Sequence, residues 1–141
     1  QDIAADRFSL VCPRTHRLAA ARAVRSGDIA LEDLLLLEDG HCLRDHALAA
    51  CHLEGARRNA SFQGTSLQTL VQMVANGLGV PLLPQIALDA GILRGLDLAV
   101  VPLDGEAPAR RIGLVWRSTS GRRETFVRLA GALAASARPT P

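Results

Sequence analysis

Apolar residues along this chain come in short runs broken by turn-forming residues, and two spacings recur: the consecutive or alternating positions of strands and the three-to-four spacing of helices. Phe8 to Val11 is apolar and β-prone and is closed by Pro13, which predicts a strand. Arg14 to Gly27, rich in alanine and arginine, has no clean apolar stripe and reads as surface connection. Asp28 then precedes Ile29, Leu31 and Leu34, a pattern that fits a helical turn. Leu34 to Leu37 predicts a buried strand, followed by the turn residues Glu38-Asp39-Gly40.

His41 to Leu53 holds neither proline nor glycine and predicts a helix of about three turns, ended by Glu54-Gly55. Phe62 to Gly64 predicts a short strand, and Thr65-Ser66 an N-cap before Leu67, Leu70, Val71 and Val74, which share one helical face. Asn76-Gly77 ends that helix. A buried strand at Val80 to Leu83, a helix at Gln85 to Leu93 and a strand at Leu98 to Leu103 follow. Beyond the Pro108 loop, Arg111 to Arg117 alternates as a strand, and Phe126, Leu129, Ala130, Leu133 and Ala134 form a helical stripe. Strands alternating with helices predict an α/β fold.

Composition narrows the function classes. The longest apolar run, Leu34 to Leu37, is far short of the ~20 residues that cross a bilayer, and no secretory leader opens the chain, so a cytoplasmic location is the expectation. The net charge is only +2, with acidic and basic residues interleaved. That leaves no basic face for nucleic acid, and three phenylalanines and one tryptophan leave few stacking platforms for bases.

Three cysteines, Cys12, Cys42 and Cys51, make an odd count, which argues against a structural disulfide framework. In one continuous helix Cys42 and Cys51 would stand about 13 Å apart along the axis and half a turn around it. A disulfide needs Cα atoms roughly 4.4 to 6.8 Å apart, so that pair bonds only if the helix between them reorganises. Cys42 would lie in the first helical turn, where free backbone amides and the helix dipole favour a thiolate. His41 and Arg44 flank it and add positive field, while Glu38, Asp39 and Asp45 oppose them. Two other readings stand beside this one. Each cysteine on an alanine- and leucine-rich helix also fits a small buried hydrophobe, and His41, Cys42, His46, Cys51 and His52 cluster as zinc ligands might, although no Cys-x-x-Cys pair is present and no metal is expected. Cys12 reads as a packed strand residue.

The run Leu35-Leu36-Leu37-Glu38-Asp39-Gly40-His41-Cys42-Leu43-Arg44-Asp45-His46-Ala47, followed by Cys51, resembles the signature of the OxyR-like, peroxide-sensing group of LysR-type transcriptional regulators. Residues 62 to 70, 73 to 80 and 82 to 84, with Arg110 and Ile112-Gly113-Leu114-Val115, resemble further segments of such effector domains.

The resemblance implies a periplasmic-binding-protein-like effector subdomain, a mixed sheet flanked by helices, at 7–105. Residues 106–141 would then be a return strand and helix of the other subdomain, and the DNA-binding helix-turn-helix, its linker and the first half of that other subdomain would be absent from this stretch. It implies Cys42 as the peroxide-reacting residue, Cys51 as its disulfide partner and Arg110 as support for the thiolate, with His41, Arg44, Asp45 and Thr65 in the pocket's surroundings. It implies no cofactor and no enzyme turnover. The implied partners are hydrogen peroxide, a homodimer or homotetramer of the full-length form, promoter DNA, RNA polymerase and a thiol reductant that resets the switch. A LysR-type effector domain that binds a small organic inducer, and a thiol peroxidase, are the alternatives.

Overall fold

The structure is a computed structural model that describes residues 1–29, 33–50, 63–104 and 109–137. In chain order its elements are β1 (Asp2–Asp6), β2 (Phe8–Pro13), a 3-10 turn (Ser26–Asp28), β3 (Leu36–Leu37), α1 (Cys42–Ala50), β4 (Gln63–Gly64), α2 (Leu67–Ala75), β5 (Leu82–Pro84), α3 (Gln85–Asp89), β6 (Leu98–Pro102), β7 (Arg110–Gly113) and α4 (Arg123–Ser136). They divide into two compact units, Arg7–Pro108 and Gln1–Asp6 with Ala109–Pro141.

The larger unit is built around β2, the middle strand of an antiparallel sheet ordered β5-β2-β6. Successive side chains of a strand point to opposite faces, and here both faces are covered. Phe8, Leu10 and Cys12 pack with Leu34, Leu36, Ala47, Leu48, Leu82 and Val101. Val11 packs with Leu35, Leu37, Leu70, Val71, Val74 and Leu83. The four-leucine run therefore serves two cores at once, its alternate members going to opposite sides, and α1 closes the first core while α2 closes the second. Continuous apolar runs are what strands covered on both faces require.

The second, parallel pairing is β3 with β4, in which Leu36 faces Gln63 and Leu37 faces Gly64. An isolated parallel bridge joins Leu34 to Val80. Gly79, just before it, has φ +148, and a Cβ there would come within 2.5 Å of the Asp33 carbonyl oxygen, so only glycine lets these segments approach.

Several predicted elements differ in extent. The strand expected at Val80 to Leu83 is observed as β5, starting two residues later and ending one later, with Val80 in the bridge. The helix expected through Leu93 stops at Asp89, and turns follow in which Gly91 takes the left-handed conformation (φ +78). A 3-10 turn at Ser26–Asp28 precedes the helical turn expected after Asp28, of which residues 30–32 lie outside the described residues, as does 51–53 of the predicted three-turn helix.

In the smaller unit β1 pairs antiparallel with β7, and α4 packs on β1. β1 is an element that apolar pattern alone did not predict. The strand expected from Arg111 to Arg117 ends at Gly113, because its partner runs out: Leu114 N–H donates to the Gln1 carbonyl, and past it Val115 is 90% exposed. Trp116 stacks on Phe126 with ring centroids 5.7 Å apart. Val127, Leu129 and Leu133 of α4 are exposed.

Candidate functional site

The candidate site begins where β3 ends. Glu38 N–H donates to the Gly64 carbonyl, tying the turn to β4, and Arg44 N–H donates to the His41 carbonyl as α1 opens. Cys42 is the first residue of α1, as the sequence predicted for a first-turn position, and its thiol is free and exposed.

The helix then sorts its side chains by the 3.6-residue period. His41, Cys42, Asp45 and His46 are exposed, whereas Arg44, Ala47 and Leu48 are buried. Arg44, expected from sequence to lend positive field at Cys42, is instead 5% exposed, and its guanidinium is ion-paired with Asp39 of the preceding turn. Cys51 lies outside the described residues, as does His52, and with them most of the zinc alternative. Among the described residues no three His, Cys, Asp or Glu side chains gather as a metal site.

Thr65 is exposed and its Oγ1 lies 3.4 Å from Thr69 Oγ1. The cap itself is Ser66, whose Oγ accepts from Thr69 N–H at 3.1 Å. Arg110 belongs to the smaller unit, where its Nε donates to Asp6 Oδ2 at 2.7 Å, and Asp6 is 4% exposed. Nothing in sequence flagged Asp6: the pair is 104 residues apart and is made by strand register, Asp6 opposite Arg110.

Cys12 contrasts with Cys42. It is fully buried in β2 as a free thiol, and burial pushes its pKa up, since a thiolate there would lose its hydration. At the other end of the scale, the exposed Asp2 carboxyl is held below the usual carboxylate range by its hydrogen bond from Arg111 at 2.5 Å.

A family model described as LysR substrate binding domain matches residues 1–138. Over 125 residues the chain is 46% identical to the probable hydrogen peroxide-inducible genes activator of Mycobacterium avium, covering 88% of this chain and 40% of that protein. It is 38% identical over 125 residues to the HTH-type transcriptional regulator EstR of Acinetobacter baylyi, covering 89% of this chain and 41% of that one. Among solved structures, the reduced form of the regulatory domain of OxyR2 from Vibrio vulnificus matches with a TM-score of 0.81 at 41% identity, covering 96% of this chain and 63% of that chain. This chain thus spans well under half the length of those curated relatives. The α/β, periplasmic-binding-protein-like fold expected above is the fold these matches support.

Proposed function

Because the chain belongs to the LysR substrate binding domain family, we propose that it is the hydrogen-peroxide-sensing part of a transcription activator, switched by a disulfide between Cys42 and Cys51. The observation that carries this is an exposed, free Cys42 thiol at the first residue of α1, in a chain 46% identical to a peroxide-inducible activator.

Chemically, the Cys42 sulfur attacks one oxygen of hydrogen peroxide and the O–O bond breaks, giving a sulfenic acid and hydroxide, which leaves as water. The Cys51 thiol then displaces the sulfenic oxygen as a second water and closes the disulfide. Helix geometry couples that step to shape. From Cys42 to Ala50 the axis of α1 rises about 12 Å. Since a neighbouring Cα lies only ~3.8 Å on, Cys51 stays roughly 8 Å or more from Cys42 while α1 persists, beyond disulfide reach. Oxidation must therefore open the helix, and that opening is the signal.

His41 and Asp45, exposed beside Cys42, line the thiol's approach; Arg44 and Thr65 belong to its surroundings; Arg110 supports the thiolate in the full regulator. Residues 7–105 serve as the second effector subdomain and 106–141 as the return strand and helix of the first, a division supported by the two compact units. In the intact regulator, a homodimer or homotetramer in the cytoplasm, this change would reposition the DNA-binding domains on promoter DNA, engage RNA polymerase, and be reversed by a thiol reductant. The family is a class of transcriptional regulators, and each molecule would react once per oxidation, without turnover.

The similarity to EstR, whose name carries no peroxide, favours one second reading: an effector domain for a small organic inducer. Mass spectrometry of alkylated protein before and after mild peroxide separates the two. Loss of two free thiols, at Cys42 and Cys51, with Cys12 retained, is expected. Both thiols left unmodified would defeat the sensor reading, and steady peroxide consumption with a reductant would return the thiol-peroxidase alternative.

A further inference from the structure

Two proton movements accompany the proposed oxidation. The Cys42 thiol gives one up before its sulfur attacks, and the oxygen that departs from peroxide must gain one to leave as water. A single neighbour can serve both if its protonation changes near neutral pH, which singles out imidazole among side chains. α1 carries one. Its buried residues are Arg44, Ala47 and Leu48, and at about 3.6 residues per turn these mark its inward side. Cys42 and His46 fall on the opposite side, about 40° apart around the axis and about 6 Å apart along it, and both are exposed. Cβ atoms four residues apart on a helix are about 5–6 Å from each other, and helical side chains lean back toward the N-terminus. The His46 ring is thus directed over the turn that carries the Cys42 thiol, within reach of a proton passed directly or through one water.

We propose that His46 is the proton relay for the oxidation of Cys42, an inference that rests on the reading of Cys42 as the peroxide-reacting thiol. A ring nitrogen of His46 takes the thiol proton, the thiolate sulfur attacks one peroxide oxygen, the O–O bond breaks, and the imidazolium returns the proton to the departing oxygen, which leaves as water. The sulfur is oxidised to a sulfenic acid, peroxide is reduced, and the imidazole ends as it began. Among the described residues, the other titratable groups around this face are Glu38, Asp39 and Asp45, all exposed, with His41 just before the first residue of α1. Arg44 turns inward and is ion-paired with Asp39. Carboxylates as a class stay ionised above about pH 6, so their field is constant where imidazole titrates. Beneath the helix, β3 presents Leu36 and Leu37, and Cys12 of β2 belongs to the core that packs Ala47 and Leu48, on the far side from His46.

The test follows loss of the Cys42 thiol, by quenched alkylation and mass spectrometry, at a fixed excess of peroxide from about pH 6 to about pH 9, the range spanning imidazole titration. His46→Gln keeps a good helix former on the solvent-facing side and removes the titrating group. His41 stays in both proteins, so its own titration is common to the two curves. Near pH 6 the variant should react about tenfold more slowly, a smaller factor than the ~10²-fold or more common for general acid–base catalysis because bulk water also serves an exposed thiol. The deficit should close toward about pH 9, where thiols as a class ionise unaided. A role confined to structure would lower the rate by the same factor at every pH. In His46→Ala, free imidazole should restore the rate in proportion to its concentration, with little gain in wild type. A variant rate within about twofold of wild type throughout, a deficit that does not change with pH, or a His46→Ala protein that imidazole fails to rescue overturns the inference. If wild-type Cys42 keeps its thiol under peroxide, the sensor reading falls and this inference with it, whereas a wild type that reacts beside an unaffected His46→Gln defeats only the inference.

Discussion

Cys12 and Cys42 carry the same functional group in the same unit, one fully buried in the middle strand of the sheet and one exposed at the start of a helix. Cys12 pairs with Ala99 of β6, β5 pairs with Phe8 to Leu10 of the same strand, and side chains fill both faces of β2. Around Cys42 the same core supplies only the underside of α1. The difference teaches that a thiol's chemistry here follows from the layer that holds it: the sheet withholds water and therefore charge, while the helix terminus leaves its thiol open to solvent.

The sharpest way to break this contrast is to damage the sheet. Leu10 is fully buried in β2, so Leu10→Ala should cost about 2 to 5 kcal/mol in urea-monitored unfolding, while Asp45→Ala on the outer face of α1 should change stability by less than about 0.5 kcal/mol. Comparable losses from both would mean that α1 is held as firmly as β2.

A middle-sized effect separates the two thiols. Cys12→Ser places a hydroxyl among apolar side chains and should cost roughly 1 to 3 kcal/mol, yet leave peroxide labelling intact; Cys42→Ser should do the reverse. The pH dependence has a definite sign. As pH rises past about 8.5, the unfolded chain sheds the Cys12 proton, while the buried thiol, with its raised pKa, keeps it. Cys12 thus stabilises the fold fully below that pH, and the contribution declines as pH rises toward the native value. Chemical unfolding between pH 8 and 10 should show this decline steepened in wild type relative to Cys12→Ala; parallel curves would contradict it.

The smallest effect belongs to the Asp2–Arg111 pair, both of whose groups are exposed. Asp2→Asn should shift Tm only slightly, and 1 M salt should erase the difference. Its contribution is present above the ordinary carboxylate range and lost as pH falls through the lowered Asp2 pKa.

Much of this architecture is written in short-range pattern. The strand at Phe8, the leucine run, the turn before Cys42, the Ser66 cap and the apolar face of α2 each follow from neighbours within a few residues, and the structure has them where local chemistry puts them. Cys42 at a helix start is equally legible, since turn residues and the first apolar position mark it. By contrast β1, four of whose five residues are aspartate or alanine, has little strand propensity and exists through pairing with β7 more than a hundred residues away. The full length of β7 was overread for the matching reason: alternation continues to Arg117, but a strand extends only as far as its partner.

Sequence alone therefore marked most of the segments that are strands or helices, the buried leucine run, and a cysteine pair nine residues apart. Tertiary structure decided what no local pattern contains: that Arg44 turns inward to Asp39, that Asp6 meets Arg110, and that of two chemically identical thiols one is sealed and the other open. The physical reason is range. Propensity and periodicity act over a turn or two of chain, whereas burial, ion pairing and strand register depend on which distant segments arrive at the same place.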